Sequence, residues 1–264
     1  MVNKFYVPGE PRATRVHDLF TTIAPRYDLI NDLQSFCMHR YWKRRLVQLA
    51  RVKSGERALD LCCGTGDLAF AMAPGGAMIT GLDFSASMLA VARQRRRTSQ
   101  VRRQRSEVRS PERNAETPSS GCRPLASVFF VRGDALHLPF RDSQFEVVTM
   151  SYGLRNLADF QAGLSEMVRV ARPGGRLLVL DFGKPDNALW RGLYFTYLKW
   201  CVPWFGRIFC GDSETYGYIL QSLKNYPAQN GVAAALAEMN CERLRIVKFL
   251  GGMMSINYAE KRGL

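Results

Sequence analysis

Four groups of residues in this 264-residue chain have types and spacing that could do chemistry. The first is Ala58–Asp67, ALDLCCGTGD, where the apolar run Ala58-Leu59-Asp60-Leu61 leads into the turn Asp60-x-Cys62-x-Gly64-x-Gly66. A glycine turn between a strand and a helix lets backbone amides approach a ligand closely. The second is Asp83, 17 residues after Gly66, where a carboxylate can accept both hydroxyls of a ribose. The third is Asp134 in Gly133-Asp134-Ala135, placed to accept from an adenine amino group. The fourth is Ser151, followed shortly by Arg155-Asn156. Taken singly, each has an ordinary structural reading, since an Asp after a strand is as readily a turn residue or a helix N-cap. Taken in order, they set small or acidic residues at the carboxyl ends of successive strands, where open α/β sheets collect ligands.

The acceptor-rich set narrows the ligand. A dinucleotide fingerprint needs G-x-G-x-x-G, and here, read from Cys62, the sixth position is Asp67. S-adenosylmethionine has no phosphate; its ribose diol, adenine and zwitterionic amino acid ask for acceptors rather than cations. Asp60, Gly64, Gly66, Asp83, Asp134 and Ser151 meet that demand. A metal is not expected, because His17, His39 and His137 are far apart and lack ligand spacing. The seven cysteines include no C-x-x-C pair, which points to a reducing, cytoplasmic compartment.

The elements needed to position these residues can be read from periodicity. Ala58–Leu61, Ala77–Phe84, Val128–Val131, Phe145–Ser151 and Arg176–Phe182 read as strands, with helices over Asp67–Met72, Ser85–Arg93 and Asp159–Ala171. Pro173-Gly174-Gly175 is expected to close the last of these helices, and Ser85 to cap the second. Alternating strands and helices predict an α/β fold, a parallel sheet with helices on both faces. Arg243–Leu250 and Met253–Glu260, separated by Gly251-Gly252, predict a final antiparallel hairpin, giving seven strands. Val16–Val52 is amphipathic and helical, so residues 1–52 read as an N-terminal helical segment and 53–264 as the main domain.

Composition bounds the rest. Apolar residues make up 47 % and charged residues 23 %, as in globular enzymes. No apolar run is long enough to span a bilayer, and the N-terminus lacks the apolar core of a secretory signal. The net charge is +14, and residues 93–113, with nine Arg and two Glu, supply half of it. The tract 93–124 has almost no large apolar residues and is expected to be a mobile insertion. Trp190–Phe209, WRGLYFTYLKWCVPWFGRIF, is unusually aromatic and reads as part of a helical lid insertion over 184–226.

Beyond the glycine turn, several strings resemble the ubiquinone/menaquinone biosynthesis C-methyltransferases, a family of the class I Rossmann-like fold. They include Ile23-Ala24-Pro25-Arg26-Tyr27-Asp28, Gly81-Leu82-Asp83-Phe84-Ser85, Leu138-Pro139-Phe140, Gly153-Leu154-Arg155-Asn156, Asp181-Phe182-x-Lys184-Pro185 and Gly211-Asp212-x-Glu214-x-Tyr216. The resemblance runs from about Val16 to Lys261, leaving out the Arg-rich tract; Cys62, where many methyltransferases have glycine, is a departure from the wider superfamily. It implies cofactor contacts at Thr65, Asp83, Asp134, Ala135 and Ser151, and a prenylated quinol methylated on a ring carbon. Such a reaction needs the quinol hydroxyl deprotonated and the developing phenolate stabilised. Arg155 is the candidate for the electrostatic role, Asn156 for orienting a water or hydroxyl, and Tyr27 and Asp28 for closing over the ring. A basic, aromatic lid suggests contact with the inner face of a membrane, and a homodimer or a quinone-pathway complex is conceivable. Competing readings are a methyltransferase of another phenol or a sterol, and a non-catalytic scaffold. A nucleic-acid methyltransferase is disfavoured, because Ser151-Tyr152-Gly153-Leu154 stands where amino-directed base methylases carry an N-P-P-Y-type string.

Overall fold

The computed structural model describes residues 31–32, 35–109, 128–210, 220, 222–223 and 226–263. Tyr27, Asp28, residues 110–124 of the insertion and the Gly211–Tyr216 string lie outside them. The strands are β1 (Arg57–Leu61), β2 (Met78–Asp83), β3 (Val128–Arg132), β4 (Phe145–Ser151), β5 (Ala171–Phe182), β6 (Cys241–Phe249) and β7 (Met254–Lys261). The helices are α1 (Met38–Ala50), α2 (Asp67–Met72), α3 (Ala86–Arg109), α4 (Phe160–Val170), α5 (Ala188–Cys210) and α6 (Ala228–Glu238). The seven strands form one sheet in the order β3-β2-β1-β4-β5-β7-β6. The first five are parallel to one another, and β7 runs antiparallel to both β5 and β6.

The period of two along each strand divides the core into two layers. Leu59, Leu61, Val148, Met150, Leu177 and Val179 face one side, against Leu164 and Met167 of α4, Tyr194 and Leu198 of α5, and Val232 and Leu236 of α6. Ala58, Ile79, Val147, Leu178, Leu180 and Ile256 face the other, against Trp42 and Leu46 of α1, Leu68 and Met72 of α2, and Leu89 of α3. The central strands are buried on both faces, as a covered parallel sheet requires. Helix α1 is therefore a layer of the same core rather than an appendage to it.

Three details differ from the sequence expectation. The Arg-rich tract is helical through Arg109, as the continuation of α3. Its Arg and Gln residues are good helix formers, and the start of the tract is tied down by guanidinium bonds. Arg93 and Arg96 donate to the carbonyls of Phe130 (3.3 Å) and Val128 (2.9 Å) on the neighbouring edge strand. Pro173-Gly174-Gly175 does not simply close α4. It sits inside the span of β5 as an irregularity, where the pairing of β4 with β5 jumps from Phe145↔Ala171 to Val147↔Arg176. The final hairpin pairs Phe249 with Met254, so its connection is four residues, folded as a turn of 3-10 helix over Leu250–Gly252.

Arg176, where the regular pairing of β5 with β4 resumes, fixes α1 to the sheet. Its Nη1 donates to the carbonyls of Ala50 (2.7 Å) and Arg51 (2.6 Å), and its Nη2 pairs with Glu56 at 2.6 Å. These are the orphan carbonyls of a helix C-terminus, where a cation is favoured. Arg176→Ala is expected to lower stability by about 1–3 kcal/mol in urea unfolding, without weakening ligand binding at the far end of the sheet.

Candidate active site

The carboxyl ends of β1, β2, β3 and β4 surround a cleft of about 970 Å³, counted out to its open mouth. Gly64, Asp83, Asp134, Ala135, Ser151 and Asn156, all singled out from sequence, line it. So do Cys62, Phe84, Ser85, Met88, Leu136 and Tyr152, which sequence reasoning did not assign to the site. Phe84 and Tyr152 follow directly on Asp83 and Ser151, so the same strand-end logic extended by one residue finds them. Met88 comes from the first turn of α3, and its signal was only that of a helix core position.

Asp83 organises the mouth of the turn. One carboxylate oxygen accepts from the Gly64 amide at 2.7 Å, and the other from the Ser85 amide at 2.8 Å. The carboxylate thus locks the glycine turn after β1 to the start of α3, while its lone pairs also face the cleft. Asp134 is held similarly by the Leu136 amide at 2.9 Å. Among the described residues the walls carry these two carboxylates and no Lys or Arg. A phosphate would find no cation here, whereas a ribose diol, an amino group and a sulfonium would find acceptors. Two further polar atoms of the wall, Ser151 Oγ and Asn156 Oδ1, are buried without a partner among the described residues. Orphaned buried acceptors of this kind call for a ligand or an ordered water. The donor set fits S-adenosylmethionine.

Other residues expected at the site stand behind it. Asp60 is 1 % exposed and accepts from Thr149 Oγ1 at 2.9 Å. Burial pushes its carboxyl up to about 7. Thr65 is buried, its hydroxyl taking a bond from Arg95 Nη1 at 3.2 Å. Gly66 turns the chain into α2 at φ +85°, and a side chain there would meet the Phe130 ring. The same Arg95 nitrogen reaches Asp67 at 2.9 Å, and Lys43 of α1 reaches the other Asp67 oxygen at 3.1 Å. Asp67, the residue that breaks the dinucleotide pattern, thereby joins α1 and α3 at the glycine turn.

Arg155 is not part of the cleft wall. Its guanidinium is buried, pairs with Asp181 at 2.9 Å, donates to the Tyr152 carbonyl at 2.9 Å and lies 4.5 Å from the centre of the Phe182 ring. Its own amide donates to the second Asp181 oxygen at 3.1 Å. The role its surroundings allow is to set the loop after β4. Asn156, one residue on, does reach the wall, its amide nitrogen donating to Tyr152 at 3.1 Å.

Cys62 adopts φ +52°, a left-handed conformation that is unusual for a residue with a side chain. Gly153 makes room for it, since a Cβ at 153 would fall 2.6 Å from both Cβ and Sγ of Cys62. The two positions are matched across the floor of the cleft. Burial raises the thiols of Cys62 and Cys63 well above their ordinary range, so neither is a thiolate nucleophile. Among the described residues no group of side chains could hold a metal ion.

The sequence matches the ubiE/COQ5 methyltransferase family over residues 10–261. The chain belongs to that family. It is an S-adenosylmethionine-dependent methyltransferase. It is 34 % identical over 253 residues to a demethylmenaquinone methyltransferase of Staphylococcus aureus, covering 94 % of each chain. Among solved structures, a possible histamine N-methyltransferase from Thermotoga maritima superposes with a TM-score of 0.58 at 16 % identity, over 93 % of this chain and 99 % of that one. Phosphoethanolamine N-methyltransferase 2 of Haemonchus contortus, solved with S-adenosyl-L-methionine, gives 0.56 at 14 % identity, over 85 % of this chain and 53 % of that one. These two likenesses establish the fold, which is the Rossmann-like methyltransferase architecture expected from sequence.

Two outcomes test the geometry. Gly153→Ala is expected to displace Cys62 and weaken binding of S-adenosylhomocysteine at least about tenfold, because overpacking a rigid turn costs on the order of 1–3 kcal/mol; calorimetric titration measures it. Asp60 holds its proton in the folded state to higher pH than in the unfolded chain. Between about pH 4 and 7 its ionisation therefore removes stability as pH rises, by about 1.4 kcal/mol per unit at most. Asp60→Asn is expected to flatten that slope in urea unfolding; an unchanged slope would mean that Asp60 ionises freely.

Proposed function

We propose that this enzyme methylates a ring carbon of a prenylated quinol in menaquinone biosynthesis, with demethylmenaquinol as its acceptor. The single observation that carries this reading is the likeness to the staphylococcal demethylmenaquinone methyltransferase along 94 % of both chains. The cleft supports it chemically. Bound S-adenosylmethionine supplies an activated methyl on a sulfonium, so alignment is the protein's main task. Asp83 and Gly64 take the ribose side, Asp134 and Ala135 the adenine side, and Ser151 the side nearest β4. Asp60, Thr65 and Gly66 act from behind by fixing the turn.

The ring must lose a hydroxyl proton to make the neighbouring carbon nucleophilic. Asn156 Oδ1, buried and without a partner among the described residues, can accept from that hydroxyl or from a water beside it. Arg155 is a positioning residue: through Asp181 and the Tyr152 carbonyl it fixes the loop that presents Ser151 and Asn156. Tyr27 and Asp28, which lie outside the described residues, remain candidates from the sequence resemblance alone. A polyprenyl tail is insoluble in water, so the enzyme meets its substrate at a membrane, as a peripheral protein on the cytoplasmic face. Among the described residues no helix is long and apolar enough to cross a membrane.

The test is methyl transfer from labelled donor to a panel of quinols. A reduced demethylnaphthoquinone is expected to be methylated, and its benzoquinol counterpart less well. Transfer to sterols or simple phenols, with none to either quinol, overturns the reading. Asp83→Asn is expected to raise the KM for the donor at least about tenfold, one charged hydrogen bond being worth about 1.5–3 kcal/mol, with little change in the KM for the quinol.

A further inference from the structure

Helix α5 is apolar on two faces, and among the described residues only one of them is packed into the fold. Tyr194 and Leu198 are 4 % and 3 % exposed and pack into the core with Tyr226 and Val232. On the outward side Leu189 is 77 % exposed, Leu193 56 % and Trp200 67 %, and Trp190 beside them is 40 % exposed. Leu189, Leu193 and Trp200 are spaced by four and seven residues, so they fall on one stripe of the helix. A single exposed Leu is ordinary, but an aligned stripe on an otherwise apolar helix marks a surface made to be covered.

The start of this stripe is held in place. Trp190 Nε1 donates to the Leu250 carbonyl at 2.9 Å. Just before the helix, Gln229 of α6 takes the Lys184 amide at 2.9 Å and donates to the Lys184 carbonyl at 2.7 Å. The helix also begins just beyond the carboxyl end of β5, on the edge of the sheet where the cleft opens.

Charge selects the partner. The 23 residues of α5 contain Arg191, Lys199 and Arg207 and no Asp or Glu. The Lys199 ammonium lies 5.2 Å from the centre of the Trp200 ring. An exposed Trp beside a Lys, on a helix with apolar residues outward and only positive charge, is the composition of a helix that lies in a lipid headgroup layer. We propose that the outward face of α5, Leu189-Leu193-Trp200 with Lys199, seats on an anionic lipid bilayer and thereby brings the cleft edge to the membrane. That the apolar partner is a bilayer follows from the prenylated acceptor proposed above, and the assignment rests on that reading. A second copy of the chain is the competing occupant.

Vesicle sedimentation decides between them. The wild-type enzyme is expected to bind vesicles of phosphatidylcholine with one part in about three of phosphatidylglycerol, and to bind pure phosphatidylcholine more weakly. Leu189→Gln with Leu193→Gln is expected to lower binding to the mixed vesicles at least about tenfold, since two leucines leave the apolar layer. Both positions are exposed, so the variant should fold, and its turnover of a short-tailed, water-soluble quinol should match the wild type. Its turnover of a long-tailed quinol presented in vesicles should fall. Equal binding by variant and wild type overturns the proposal, as does a wild-type dimer that the substitutions break while vesicle binding stays absent. If no quinol is methylated but the variant still loses vesicle binding, the docking face stands and the acceptor assignment fails.

Discussion

The buried pair of Arg155 and Asp181 is the interaction on which the active end of this molecule depends. Asp181 ends β5, and Arg155 lies in the loop after β4. Their side chains are 5 % and 2 % exposed. Removing one partner of a buried ion pair is costly, because the charge left behind is uncompensated. Here both carboxylate oxygens are engaged, by the guanidinium, by the Arg155 amide and by the Phe182 amide at 2.8 Å. The guanidinium in turn grips the Tyr152 carbonyl and faces Phe182. This cluster sets the path of residues 151–158, which supply six of the residues lining the cleft. A loop that must hold two orphaned acceptors in a wall cannot wander, and a paired charge in a low-dielectric interior gives it a single arrangement.

That dependence explains what the sequence could and could not disclose. The strands, the parallel order and the two-sided burial are written in apolar periodicity, and the final antiparallel pair in the spacing around Gly251 and Gly252. Asp83, Asp134, Ser151 and Asn156 could be placed because strand ends are predictable and an α/β sheet has one ligand-binding edge. Arg155 illustrates the limit. Its position in the chain put it near the site, but only the three-dimensional placement of Asp181, 26 residues away, shows that its charge is already committed. Asp60 and Thr65 fall to the same limit. A residue one step from a turn can face the ligand or the core, and pleat and turn geometry decide which.

The Arg-rich tract misled in an instructive way. Low apolar content argued for mobility, yet a helix needs no apolar face of its own while it extends one that is already docked. Leu89 and Ala92 anchor the start of α3, and Arg93, Arg95 and Arg96 then reach back to backbone carbonyls of the edge strand and the glycine turn. Part of the excess positive charge is therefore consumed inside the fold. It does not point to nucleic acid.

What remains is the contrast between a basic protein and an acidic cleft. The cations beside the glycine turn are paired: the Arg95 guanidinium lies on Thr65 and Asp67, and the Lys43 ammonium on Asp67. Among the described residues the face toward the ligand holds Asp83 and Asp134 and no cation. Had Arg95 faced inward, the same turn would favour a phosphate. Asp67 pairs with Arg95 and Lys43, neither of which is among the residues lining the cleft, and tethers α1 and α3 in doing so. The residue that first argued against a dinucleotide thus supplies a physical reason for that exclusion, by pairing two cations that a phosphate at this turn would otherwise draw on.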